Sequence, residues 1–174
     1  ADNGTSWSYT ATVANGTTHL FNVRETDLAG NTSAATSNLA VTGDTTAPTA
    51  PSVSGTTPTD NTTPTWNWSA GGGGNGTYRY KLDNNDLTSG ATETTSTSYT
   101  PGSGISEASH ILYVQERDAA GNWSSSGSST IVIDTTAPTI TSFTSTTADG
   151  SYKSAGTVNI TATASEAVVA TNTI

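Results

Sequence analysis

Apolar and polar residues alternate along this chain in short runs. Trp7-Ser8-Tyr9-Thr10-Ala11-Thr12-Val13 is one, and Tyr78-Arg79-Tyr80-Lys81-Leu82 is another. Side chains two apart share a face of an extended strand, so Tyr78, Tyr80 and Leu82 fall together, as do Trp66 and Trp68 in Thr65-Trp66-Asn67-Trp68-Ser69. The same pattern predicts strands at His19–Glu25, Ser37–Val41, Ser52–Ser54, Thr94–Thr100, His110–Glu116, Ser129–Ile133, Val158–Ala162 and Ala167–Ala170, and Ile140 and Phe143 open the C-terminal stretch. Between them lie turn signals: Asn15-Gly16, Ala29-Gly30-Asn31, the glycine-rich run Ala70–Gly76, which reads as a flexible loop, and Asp83-Asn84-Asn85-Asp86. No stretch carries a helical period, and the strands recur at the roughly 8–12-residue spacing of all-β proteins.

The chain repeats itself. Glu25-Thr26-Asp27-Leu28-Ala29-Gly30-Asn31 returns as Glu116-Arg117-Asp118-Ala119-Ala120-Gly121-Asn122, and Asp44-Thr45-Thr46-Ala47-Pro48-Thr49 returns as Asp134-Thr135-Thr136-Ala137-Pro138-Thr139. A period of roughly 90 residues marks tandem domains. The stretch 44–133 then holds one complete repeat of about seven strands, the number expected of an immunoglobulin-like or fibronectin-III-like β-sandwich. Residues 1–43 read as the C-terminal half of such a repeat, and 134–174 as a linker and the N-terminal half of a further one. Neither half covers its apolar face alone. The expectation is either completion by a neighbouring chain or a stretch of a longer array.

Composition narrows the function. Hydrophobic residues make up only 32% of the chain, so each small sandwich buries little apolar area and gains from bracing at its joints. There is no cysteine, and no apolar run is long enough to span a bilayer. Fourteen acidic residues against five basic ones give a net charge of −9, which disfavours nucleic acid and anionic membranes as partners and favours cations. No nucleophile motif, phosphate loop, dinucleotide fingerprint or zinc spacing is present, so an enzyme is not expected.

The paired motifs, Asp-Ala-Ala-Gly-Asn followed by Asp-Thr-Thr-Ala-Pro-Thr, resemble the bacterial immunoglobulin-like tandem repeats of large secreted adhesins and biofilm surface proteins. The resemblance extends over nearly the whole chain. It implies a rod of β-sandwiches at the cell surface, outside the cell, often with calcium at the joints, and with neighbouring repeats of the same chain or fibre as partners.

Calcium takes six to eight hard oxygen ligands. The acids expected to supply them are Glu25 and Asp27, or Glu116 and Asp118, at the end of the penultimate strand; Asp44 or Asp134 in the linker; and Asp60 or Asp149 in a loop of the next domain. Asn31, Asn61 and Asn122 are further oxygen donors. An immunoglobulin-type topology is expected to bring these groups together at each joint. The competing reading makes the same aspartates turn-formers. Trp66 and Trp68 are expected in the core, whereas Trp123, in the Gly121-Asn122-Trp123 loop, is the candidate for an exposed glycan contact. His19 and His110 hold equivalent positions, and His110 is expected to make a structural hydrogen bond where such sandwiches carry a corner tyrosine.

Overall fold

The computed structural model describes residues 8–169. Among them there is no helix; eleven strands form four antiparallel sheets. Two compact units result, Ala1–Ile133 and Asp134–Ile174.

The first unit opens with a hairpin of β1 (Thr18–Phe21) and β2 (Leu39–Thr42), in which Thr18 faces Thr42 and Phe21 faces Leu39. Seven strands follow: β3 (Ser52–Ser54), β4 (Trp66–Ser69), β5 (Thr77–Leu82), β6 (Thr92–Thr94), β7 (Ser98–Tyr99), β8 (Ser109–Arg117) and β9 (Gly127–Val132). They form a three-stranded sheet, β3-β4-β7, and a four-stranded sheet, β6-β5-β8-β9. One buried cluster joins the two. Trp66 and Trp68 come from β4, Tyr78 from β5, Leu112 and Val114 from β8, and Ile131 and Ile133 from β9 and its end. The alternation in the sequence is the cause: along β8, His110, Leu112, Val114 and Glu116 are buried while the residues between them are not. The Trp66 indole N–H also donates to the Ser129 carbonyl at 3.1 Å, tying the sheets together. Two antiparallel sheets sharing such a core are consistent with a β-sandwich.

The predicted strand Thr94–Thr100 is in fact two. β6 pairs with β5 in one sheet and β7 with β4 in the other. The chain crosses between sheets at Ser96, whose N–H donates to the Thr94 hydroxyl and whose own hydroxyl accepts from the Ser98 N–H. Such local hydroxyl bonds compete with a ladder and end it. Residues 8–13 of the first predicted strand form no ladder either. Their repeat counterparts, Ser98 and Tyr99, pair only with β4, and residues 8–43 contain no counterpart of β4. Tyr9, Leu20 and Leu39 accordingly stay exposed.

The second unit pairs β10 (Ile140–Thr144) with β11 (Thr161–Ala164) across a bulge between Ile140 and Ser142. β11 starts three residues later than Val158–Ala162 suggests, and residues 167–169 are not in a strand; Ala170 lies outside the described residues. Ile140, Phe143, Val158 and Ile160 remain exposed.

Candidate joint site

Each strand of the 48–133 module crosses it once, which fixes its two ends. Ser52 opposes Ser69, and Thr77 opposes Arg117, so the start of β3, the glycine-rich loop after β4 and the turn after β8 share one end. Ile133 lies at the other, where its N–H donates to Ala108 and it bridges Thr59. The eight residue steps from Ala108 to Glu116 along β8 span about 26 Å at a strand's rise per residue.

At the first end Glu116 and Asp118 are buried two residues apart, at 1% and 5% exposure. Glu116 accepts a bond from the Gly71 N–H at 3.2 Å and one from the Tyr78 hydroxyl; burial first, and then the Glu116 charge, push the Tyr78 phenol up. Gly74 packs so closely that a Cβ there would stand 2.1 Å from the Glu116 carboxyl carbon. The glycine run is therefore a fitted wall as well as a loop. The Asp118 Oδ1 accepts the N–H groups of Gly121 (2.7 Å) and Asn122 (2.8 Å), and its Oδ2 accepts the Asn122 side-chain amide at 2.8 Å. These bonds, led by the Asn122 side chain, hold its carboxyl below the usual range.

The linker reaches this same end. The Asn122 Nδ2 also donates to the Asp44 carbonyl at 3.1 Å. Both neighbours of that amide are acceptors, which assigns the nitrogen to this position. Further along, the Thr49 N–H donates to the Gly72 carbonyl at 3.0 Å. On its other side the linker is held by Asn15, whose Oδ1 accepts the Thr45 N–H at 2.8 Å and whose Nδ2 donates to the Thr46 hydroxyl at 3.2 Å.

This geometry regroups the acids. Glu116 and Asp118 stand beside the linker that precedes their module, together with the main chain of Asp44. They lie at the far end from Ile133, after which the second linker begins. Asp60 follows Thr59 and is exposed at the Ile133 end, away from Asp44. Glu25 and Asp27 lie beyond β1 at the end opposite Asp44, because Thr18 faces Thr42 while the 26–32 turn closes the other end. The reason is topological: the turn between the last two strands lies where its own module begins.

The repeated aspartates also share local roles. Asp27 repeats the Asp118 pattern, accepting Ala29 N–H, Asn31 N–H and the Asn31 amide, and its carboxyl is lowered first by that amide. Asp44 accepts the Thr46 N–H at 2.9 Å and Asp134 the Thr136 N–H at 3.1 Å. Asp149 is exposed in the second unit. Among the described residues no three acidic or histidine side chains gather as a metal cluster, so an ion at the Asp118 end would draw on main-chain oxygens as well.

Trp123 is half-buried, with the Arg79 guanidinium 4.3 Å and that of Arg117 5.8 Å from its ring centre. Neither arginine stood out in the sequence; their strand positions opposite Gln115 and Thr77 are what align them. His110 is buried and bonded on both ring nitrogens, Nδ1 to Asp83 Oδ2 at 2.7 Å and Nε2 to the Ser106 carbonyl at 3.0 Å. No family model and no curated protein matches this chain.

Proposed function

We propose that the chain is a structural repeat of an extracellular bacterial adhesin or surface fibre, with a mechanical rather than a catalytic role and neighbouring repeats as its partners. The strand order β3-β4-β7 against β6-β5-β8-β9 supports a fibronectin-III-like sandwich as the repeating unit. The linker, bonded on both sides, supports a braced joint.

Calcium belongs to this reading at the end where the linker arrives, and one observation carries it. Glu116 and Asp118 are two buried carboxylates two residues apart, and neither is held in a close ion pair. Buried charges are ordinarily paired or bound to metal. Glu116, Asp118, the Asp44 carbonyl and the Asn122 side-chain oxygen are the hard donors available, which suits calcium's loose coordination better than magnesium's strict octahedron. An ion there takes over from the Asn122 amide nitrogen as the link between Asp118 and Asp44.

Thermal unfolding in calcium and in chelator, with solution scattering, tests this reading. Calcium raises the melting temperature and reduces hinge freedom at the joint, and Asp118→Asn removes most of the gain. Identical curves with and without calcium would leave the aspartates as turn locks and remove the ion from the proposal.

A further inference from the structure

The outward face of the four-stranded sheet has an unusual charge. Alternation puts Tyr78, Tyr80 and Leu82 inward on β5, which turns Thr77, Arg79 and Lys81 outward; on β8 it turns Ile111, Tyr113, Gln115 and Arg117 the same way. Three of the chain's five basic residues thus share one sheet face in a protein of net charge −9. Glu93, opposite Arg79 on β6, is an acid on this face, and no close ion pair joins the two.

None of the three cations is held in a close ion pair, although the Asp86 carboxylate feels the charges of Lys81 and Arg79 from the neighbouring loop. Arg79 spends its Nε on the Gln115 side-chain oxygen at 2.7 Å, which fixes the guanidinium plane and leaves its two outer nitrogens. Arg117 has a buried Nε without a hydrogen-bond partner. Lys81 donates to the main-chain carbonyls of Asp86 and Ser89, which hold it without cancelling its charge. Trp123 gathers both guanidiniums over one indole. Two like charges held together in this way on one half-buried sheet face attract anionic oxygens, and guanidinium forks match carboxylate geometry.

The shape of the surface selects the kind of anion. The face is that of a sheet, and Tyr113, Ser128 and Thr130 continue it across β8 and β9 with further hydroxyls. A polar sheet surface with spaced cations fits an extended sugar chain bearing one carboxylate on each sugar, a lower charge density than that of duplex nucleic acid. The dense charge of a nucleic acid is repelled by the rest of the molecule. We propose that this face binds an acidic polysaccharide of the polyuronate class through Arg79 and Arg117, with Lys81 and Tyr113 extending the track. The inference stands on the sheet face and does not depend on calcium at the joint.

Polygalacturonate oligomers, titrated into the 174-residue chain in chelator at low salt and followed by Trp fluorescence and calorimetry, test it. The expected result is saturable binding that weakens with salt, no binding of neutral dextran, and at least a tenfold loss in Arg79→Gln/Arg117→Gln. The Arg79→Lys/Arg117→Lys protein keeps the charges without the forks and loses less binding than the double-glutamine variant, which separates charge from loss of fold. Absence of polygalacturonate binding, equal binding of dextran, an unchanged double-glutamine variant or tighter binding of polyglutamate would each overturn the proposal.

Discussion

At the scale of single residues, His110 shows how geometry sets a protonation state. Nδ1 faces the Asp83 carboxylate, and Nε2 faces the Ser106 carbonyl with the Ser106 hydroxyl at 3.4 Å, so a doubly protonated ring donates to both close acceptors. The Asp83 bond first, then the Ser106 carbonyl, raise its affinity for the proton against the opposing effect of burial. A raised folded-state pKa adds stability that is fully present below the unfolded value of about 6.5 and is lost as pH rises through the folded one. The melting temperature is expected to fall as pH is raised from 6 towards 9, and the slope to flatten in His110→Gln. An NMR titration giving His110 a pKa at or below the free value would contradict this. Asp118 behaves oppositely: its lowered carboxyl contributes stability above about pH 4 that fades in acid. Trp66, fully buried and bonded to Ser129, is the core residue whose loss should be most severe, about 3–5 kcal/mol for Trp66→Ala by urea denaturation.

At the scale of elements, what was legible in the sequence was what period two encodes. The β8 strand and the inward pair Trp66 and Trp68 follow from alternation alone. The division of 94–100 between two sheets did not follow, because both strands are polar and the break at Ser96 is made by hydroxyl bonds with no apolar signature. The glycine run was legible as a loop and illegible as a wall, since only the folded partner, Glu116, shows why a side chain is excluded. Gly74→Ala should cost about 1–3 kcal/mol by displacing that loop, which thermal melting would register; a neutral result would show that the loop yields freely. The acids were found as a repeated set, yet their grouping was not, because motif spacing does not say at which end of a module a turn lies.

At the scale of the whole molecule, the braced linker predicts how the chain bends. Asn122→Ala removes the bond to Asp44 and loosens the Asp118 turn. Faster hydrogen exchange at residues 44–49 is expected, with a melting point that falls less than in Gly74→Ala. Unchanged exchange there would mean that Asn15 and the Thr49–Gly72 bond hold the linker without Asn122.

The bond between Asn122 and the Asp44 carbonyl has a consequence for where one repeat stops and the next starts. A piece cut at Pro48, where the sandwich itself begins, would discard an acceptor that its own last turn requires. A piece cut before Asp44 would carry that acceptor along. The unit excised at the bench therefore begins at Asp44, and the sandwich that follows carries its own hinge pin.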